Sequence, residues 1–385
     1  MKKIIFALII FLLFGKNTFT QYATGEDIFI TPFWDFYTTN YLSTQSSGKG
    51  FTGIASENDI SGILLNPASI NIPNKYQFNV QYTYKTRQQW LPSILPSQLA
   101  LKNQLFSGSV GIGYRINKKF QTGFIYNNPS SLYFDLGTGI RTDEFGNELA
   151  RYDLYYDLVN HSFNVPLVYT SNEFSLGLNL NYLISRYIIP REGISSIGSP
   201  DGYATGDDFS ATASIFKANA GFIYNFMNGL SIGATVSRGG KSNVKYKYPD
   251  GKEESNVKVN FPWKAGFGFQ YSLPKASWKI NADYNFSNNS VQNNLKDRHD
   301  FHFGVENVLN KNWTVRGGFF TLLDYRNNNV MWLDPVGEYN QYFLTLGTSY
   351  QKNNFVFNLA VLTSQISTGI IKNTYVNAGM TFNFK

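Results

Sequence analysis

The chain has 385 residues, of which 17% are aromatic and only 15% are charged, and its formal net charge is +7 at pH 7. It contains no cysteine, so neither disulfide bonds nor thiolate metal sites can form. No stretch after the N-terminus reaches the ~20 apolar residues of a spanning helix, and the basic residues are scattered rather than clustered, which disfavours nucleic-acid binding.

The N-terminus has the features of a secretory leader. Two lysines follow Met1, and the segment Ile4–Phe14 is continuously apolar. Such a segment is too short to span a membrane, and a plausible cleavage site precedes Gln21. Residues 1–20 are therefore predicted to be a signal peptide. Its removal takes three lysines away, so the net charge falls from +7 to about +4.

The clearest pattern is a pair of alternating segments on either side of a short turn. From Trp263 to Tyr271, and again from Trp278 to Phe286, apolar and polar side chains alternate. Successive side chains of a strand point to opposite faces, so the pattern predicts an antiparallel hairpin with one apolar face. Aromatic residues stand at both ends of each strand, roughly 20 Å apart at ~3.3 Å per residue and a ~40° tilt. The hairpin is predicted to face lipid.

The same alternation recurs from Tyr76 to Phe384 and indicates about fourteen strands. Tight turns alternate with longer polar links along this region. The longer links are Arg87–Phe106, Asn128–Tyr152, Ile188–Ala211, Asn288–His299 and Leu323–Asn340. Short turns on one side and long loops on the other are typical of transmembrane barrels. The sequence therefore predicts an all-β fold, a transmembrane antiparallel β-barrel of about 14 strands in the bacterial outer membrane.

The region before the first strand has a different character. Residues 21–75 show no sustained alternation and are interrupted by several glycines. This region is predicted to be an N-terminal hatch that plugs the barrel, whereas residues 76–385 are predicted to form the barrel itself.

Two motifs in the hatch region point to a family. The segment Gly48–Asp59 is a run of mostly small residues that ends with the acidic residues Glu57 and Asp59. Asn66-Pro67-Ala68 follows shortly before the first strand. This arrangement resembles the hatch of the FadL-type outer-membrane transporters of long-chain fatty acids and hydrocarbons. The segments Pro262–Phe269 and Trp278–Tyr284 are similar to a recurring strand pair of that family.

The resemblance implies a fourteen-stranded barrel with Asn66, Pro67 and Ala68 as its hatch motif. It also implies that apolar ligands bind inside the barrel and leave sideways through an opening in its wall. The function implied is passive transport of small hydrophobic molecules, of the fatty acid or hydrocarbon class, across the outer membrane. The expected partners are outer-membrane lipid and a hydrophobic small-molecule ligand.

The third predicted strand contains a sequence that can interrupt the wall. Asn127, Asn128 and Pro129 follow a regular strand segment that ends at Tyr126. Proline lacks the N–H group that a sheet ladder requires, so it should mark a bulge, a bend or the end of the strand. One interpretation is that the strand stops at Tyr126. The other is that these residues kink inward and form the lateral opening that the resemblance implies.

The lumen-facing positions include three basic residues that could anchor a ligand headgroup, namely Arg115, Lys264 and Arg316. Charge-assisted hydrogen bonds from these side chains would suit a carboxylate. The alternative is that they pair with other lumenal groups or with the hatch acids Glu57 and Asp59.

No catalytic, metal or cofactor site is predicted. The chain has three histidines, and no spacing among them suggests a metal-ligand cluster. Two alternatives to transport remain open at this stage. An accessory barrel of a secretion system would use the same fold as a docking platform for an unknown protein partner, and a general porin would need a lumen free of the hatch.

Overall fold

The structure is a computed structural model of the chain. It describes residues 39–56, 58–85, 100–102, 107–142, 145, 148–189, 209–247, 252–274, 276–291, 295–326, 340–369 and 372–385. The predicted signal peptide and the first part of the predicted hatch lie outside these residues. Among the residues described, no helix is long and apolar enough to cross a membrane.

Seventeen strands dominate the described chain. They are β1 (Tyr76–Lys85), β2 (Ala100–Lys102), β3 (Gly108–Arg115), β4 (Phe120–Thr142), β5 (Glu148–Thr170), β6 (Phe174–Ile189), β7 (Phe209–Asn225), β8 (Leu230–Ser237), β9 (Gly240–Lys247), β10 (Glu253–Phe261), β11 (Lys264–Ser272), β12 (Trp278–Ser287), β13 (Arg298–Val308), β14 (Trp313–Leu322), β15 (Gln341–Lys352), β16 (Phe355–Thr363) and β17 (Thr374–Phe384). The helices are short: an α-helix, α1 (Thr44–Ser47), and 3₁₀ turns at Ile60–Leu64, Pro67–Ser69 and Asn289–Val291.

The strands form one closed antiparallel barrel. Three pairs of strands are halves of single wall strands. β2 and β3 both pair with β4, and β8 and β9 both pair with β7. β10 and β11 together form the next wall strand, because β10 pairs with β9 and β11 pairs with β8. The wall therefore has fourteen strands. It closes where β1 pairs with β17 over ten residues, from Tyr76 opposite Phe384 to Lys85 opposite Tyr375. The predicted fold class is confirmed.

The outer surface of the barrel is apolar because every second side chain of each strand points outward. Phe267 and Leu346 lie in mid-strand, yet they are 61% and 71% exposed. The alternate side chains face the lumen and include buried polar residues such as Gln81 and Asn179. An apolar outside around a polar inside is the pattern of a wall that faces lipid.

Aromatic side chains border the apolar band at both ends. At the end with the tight turns, Tyr76 lies 5.4 Å from Phe384 between ring centroids. At the other end, Trp263 lies 4.9 Å from Phe286. Amphipathic rings at both edges of the band match the two interfaces of a bilayer.

Replacing Leu346 by Lys is expected to destabilise the inserted barrel. A charge at the middle of the lipid-facing band costs ~2–4 kcal/mol, and Leu346 stands at such a position. Equilibrium refolding from urea into lipid vesicles measures this loss. The control is Met227→Lys, because Met227 is fully exposed in a tight turn. Equal stability of the two variants would argue against a lipid-facing wall.

Several wall strands continue well beyond the apolar band. β4 and β5 each contain 23 residues and pair as far as Thr142 and Glu148. Most of the link predicted at 128–152 is therefore strand, since a long hairpin can satisfy its own backbone hydrogen bonds outside the membrane.

The hairpin β9–β10 packs its inward face against other strands of this extension. Its inward side chains Val244, Tyr246, Val259 and Phe261 are buried in a cluster with apolar residues of β5, β6 and β7. This apolar cluster packs over one side of the barrel interior.

Candidate functional site

The described part of the hatch lies inside the barrel and contacts strands around its circumference. Helix α1 packs against β15, β16 and β17, the turn at Ile60–Leu64 packs against β1, β3 and β4, and the turn at Pro67–Ser69 packs against β5, β6 and β7. The segment therefore occupies the barrel cross-section at this level. The boundaries of the signal peptide, hatch and barrel at residues 20 and 75 stay predictions.

The Asn66-Pro67-Ala68 motif is a buried joint between the hatch and the wall. The Asn66 side chain is fully buried. Its Oδ1 accepts a hydrogen bond from Ala68 N at 2.9 Å and so caps the short turn, and Pro67 fits the first position of that turn because its missing N–H is not needed there. Its Nδ2 donates to the Ile54 carbonyl at 2.6 Å and to the carbonyl of Phe222 on β7 at 3.2 Å.

Glycines on the facing strands make room for this joint. A β-carbon added at Gly221 would overlap Asn66 Oδ1, and one added at Gly177 would overlap the backbone of Pro67 and Ala68. Gly221 and Gly177 are thus positions at which the hatch approaches the strand backbone closely.

Two acidic side chains fix the hatch at other points. Asp283 on β12 accepts hydrogen bonds from the backbone N–H groups of Gly53 and Ile54 at 2.7 and 3.0 Å. Asp59 of the hatch accepts from Asn79 at 2.9 Å and Thr381 at 2.8 Å. Glu57 lies outside the described residues.

The three predicted headgroup anchors occupy different environments. Arg316 is buried, and its Nε donates to Glu306 at 2.6 Å while another guanidinium nitrogen donates to Ser349. Arg115 stands at the end of β3, where its backbone N–H donates to Lys75 at 2.9 Å. Lys264 alone of the three lines the internal cavity described below.

The third wall strand does not stop at Tyr126. β4 continues past Pro129 to Thr142. Asn127 and Asn128 are buried, at 0% and 2% exposure. Such burial of consecutive amide side chains indicates that the strand locally turns polar groups toward the interior.

Hydrogen bonding on both sides of this strand is irregular at the proline. On the β3 side the ladder ends at the pair Ser109–Asn127, and the next pair is Lys102–Tyr133 on β2. On the β5 side the register shifts between Asn127 and Ser130. The strand therefore contains a bulge, as a proline in a closed wall requires.

The first described residues of the hatch lie against this irregular segment. Asn40 N donates to the Pro129 carbonyl at 2.9 Å, and Asn40 Nδ2 donates to the Asn128 carbonyl at 2.9 Å and to Ser131 Oγ at 3.1 Å. Thr39 forms an antiparallel bridge with Ser130. The hatch thus supplies hydrogen bonds at the point where the hydrogen-bond ladder between the strands is interrupted.

A cavity of about 410 Å³ lies between the hatch and the upper part of the barrel. It extends from the bulge of β4 across the interior to β14 and mixes apolar side chains with amide, hydroxyl, basic and acidic ones. Its lining includes Asn40, Leu42, Phe51, Leu64, Leu65, Pro67, Asn127, Pro129, Leu158, Leu183, Lys217, Phe261, Lys264, Arg298, Asp300, Phe320 and Leu322. The cavity therefore contacts both the hatch motif and the wall irregularity.

His302 and His161 each contact neighbouring residues of the fold. His302 Nδ1 lies 2.9 Å from the Gly50 carbonyl, and its ring stacks on Phe320 at 5.4 Å. His161 Nδ1 lies 2.8 Å from the hydroxyl of Tyr126. Within the described ranges, no group of three His, Cys, Asp or Glu side chains could hold a metal ion.

A closed fourteen-stranded antiparallel barrel with a lipid-facing surface and an internal N-terminal hatch has the fold of the FadL-type outer-membrane transporters. Among solved structures, the chain is similar to the Ralstonia pickettii toluene transporter TbuX, with a TM-score of 0.63, 15% identity and coverage of 90% of this chain and 99% of that one.

Two further structures show the same likeness. A Pseudomonas aeruginosa FadL homologue has a TM-score of 0.60 and 13% identity, covering 90% of this chain and 99% of that one. The Pseudomonas putida toluene transporter TodX has a TM-score of 0.57 and 12% identity, covering 88% and 97%. No protein-family model and no curated protein sequence matches the chain.

Proposed function

We propose that this protein admits small hydrophobic molecules across the bacterial outer membrane by passive transport. The observation that carries the proposal is the cavity, which touches the hatch motif at Pro67 and the wall bulge at Pro129. The structurally similar proteins include toluene transporters and a FadL homologue. The ligand class proposed here is accordingly fatty acids or hydrocarbons.

The hatch favours a sideways route over an axial one. Its contacts around the barrel leave a ligand in the cavity above a closed floor. The bulge at Asn127–Pro129 borders the same cavity, and the ladder toward the preceding wall strand lapses there. A ligand that leaves through this part of the wall enters lipid directly and does not pass through water.

The Thr39–Asn40 segment is proposed to act as the gate of this route. Its hydrogen bonds to Asn128, Pro129 and Ser131 occupy the inner side of the bulge. Passage of a ligand would therefore require these hydrogen bonds to break. The freed backbone groups of the strand would then bond to other wall residues or to water.

The cavity also favours transport over a docking platform. A platform needs a filled lumen and an exposed apolar rim for its partner, whereas a transporter needs an internal space with apolar walls and a few polar groups. Leu42, Leu65 and Phe320 supply such walls next to the hatch. Nothing in the comparisons favours a secretion accessory.

Lys264 is the proposed headgroup anchor for ligands that carry a carboxylate. Replacing it by Met is expected to lower the initial uptake rate of a fatty acid about tenfold, which corresponds to ~1.4 kcal/mol, a fair value for one charge-assisted hydrogen bond. Toluene uptake should not change. Lys352→Met on the opposite rim is the control, and an equal loss for both ligands would argue against an anchor.

The proposal is tested by uptake in cells that lack the gene. The deletion strain should take up a labelled fatty acid or toluene more slowly than the wild type, and a plasmid copy should restore the rate. A small hydrophilic sugar serves as the matched control solute. Equal rates in deletion and complemented strains for every apolar solute would contradict the proposed function.

A further inference from the structure

The outward face of the barrel extension carries a group of exposed cations on three strands, β6, β9 and β10. These are Arg186 on β6, Lys241, Lys245 and Lys247 on β9, and Lys258 on β10. The inward side chains of the same strands form the buried apolar cluster. The alternation of the strands therefore directs this positive charge away from the lumen.

The strand register places these cations just above the lipid-facing band. On the outward face, Phe163, Tyr182 and Phe216 stand opposite one another, and the last two rings lie 4.5 Å apart. Arg186 is four residues beyond Tyr182, about 13 Å along the strand at ~3.3 Å per residue. With a tilt of ~40° the rise is about 10 Å, which places Arg186 beyond the hydrocarbon band, at the level of the polar headgroups.

Small polar side chains stand beside three of the cations in the strand register. Arg186 stands opposite Thr212, and Thr212 stands opposite Lys245, so the two cations are about 10 Å apart at ~4.8 Å per strand. Lys258 lies on the next strand opposite Asn243. We call Arg186, Lys245 and Lys258 the basic face.

Among the described residues, fewer acidic than basic side chains lie on this surface. Glu254 pairs with Lys252 at 3.0 Å, and Asp157 and Glu253 lie at its edges.

On another side of the barrel mouth, two arginines each have a close carboxylate: Arg298 lies 2.7 Å from Asp300, and Arg326 lies 2.6 Å from Asp324. Among the described residues, an excess of positive charge is thus a local property of the face formed by β6 to β10.

We propose that the basic face binds the phosphate groups of the outer-leaflet glycolipid. Its position at headgroup depth presents Arg and Lys donors to phosphates that are fixed in the membrane plane, and a guanidinium can donate two parallel hydrogen bonds to one phosphate. Thr212 and exposed Ser214 add hydroxyl donors between the cations. The site goes beyond transport and depends only on the outer-membrane location.

The test is binding of a fluorescent diphosphoryl glycolipid to the purified full-length protein in neutral detergent. Arg186→Glu/Lys245→Glu is expected to weaken binding at least tenfold and to reduce its dependence on salt concentration. The matched control Lys118→Glu/Lys119→Glu makes the same charge change at the opposite rim, where both lysines are exposed. It should bind like the unchanged protein.

Two results would overturn the proposal: equal binding by both double variants, or equally tight binding of the dephosphorylated glycolipid or of phosphatidylglycerol. The Gln versions of the two substitutions test the same point if the Glu variants fail to insert, and heat-dependent gel migration verifies the folded barrel. Uptake of an apolar solute, measured on the same variants, should not change, which separates this site from the transport route.

Discussion

Oxidation of the double variant Asn40→Cys/Ser131→Cys is expected to reduce uptake of apolar solutes at least tenfold, and reduction should restore it. Asn40 Nδ2 and Ser131 Oγ are 3.1 Å apart, so cysteines at the two positions lie close together, and mass spectrometry of the oxidised variant verifies the disulfide. The chain has no cysteine of its own, which leaves this crosslink as the single one possible. The crosslink would hold the proposed gate against the β4 bulge.

A second crosslink between the hatch and the wall provides the matched control. Ser47 Oγ of α1 lies 2.9 Å from Asn377 Nδ2 of β17, away from the bulge. The oxidised Ser47→Cys/Asn377→Cys variant should transport normally if only the gate segment has to move. Normal uptake by the oxidised gate variant would refute the lateral route, and loss in both variants would indicate that the whole hatch must move.

The second large effect is expected from Gly221→Ala. A β-carbon at this position would overlap Asn66 Oδ1, so the hatch motif must shift from its place between β6 and β8. Overpacking of this kind typically costs ~1–3 kcal/mol. The displaced hatch should raise the single-channel conductance and the sensitivity of cells to large hydrophilic antibiotics.

Gly317→Ala is the control for this substitution. The nearest atom to a β-carbon placed there is 3.8 Å away, so the added methyl group makes only ordinary van der Waals contacts. Its conductance should match that of the unchanged protein. If Gly221→Ala leaves conductance and antibiotic sensitivity unaltered, closure of the lumen by the hatch does not depend on a glycine at position 221.

The barrel could be predicted because each wall strand repeats one simple physical requirement. Lipid outside and polar groups inside impose a two-residue period, and the hairpin from Trp263 to Phe286 shows it without interruption. Its turns and aromatic ends then fix the strand length. Pro129 was informative for a related reason, since a missing N–H group in a closed ladder has few structural solutions.

The extension above the membrane could not be predicted in the same way. Val259 and Phe261 point inward, whereas Trp263 points outward, so the parity reverses at Pro262. Alternation alone therefore does not predict that β10 continues into β11 as one wall strand. The inward packing of the β9–β10 hairpin on β5, β6 and β7 involves contacts that no local pattern encodes.

The contacts of the gate segment were also beyond sequence reasoning. Asn40 belongs to a stretch with no regular period, and its partners are 88 to 91 residues away. Likewise, Arg316 and Lys264 have the same lumenal parity, yet one is held by Glu306 and the other lines the cavity. Only the three-dimensional arrangement of the hatch distinguishes them.

Photoaffinity labelling tests the central claim most directly. An apolar diazirine analogue of a fatty acid or toluene is equilibrated with the protein in vesicles, irradiated, and mapped by mass spectrometry. Adducts are expected on cavity residues such as Leu65, Phe261 and Pro129, and excess unlabelled ligand should suppress them. Adducts confined to lipid-facing residues such as Phe267 and Leu346, unaffected by competitor, would contradict an internal binding site for hydrophobic molecules.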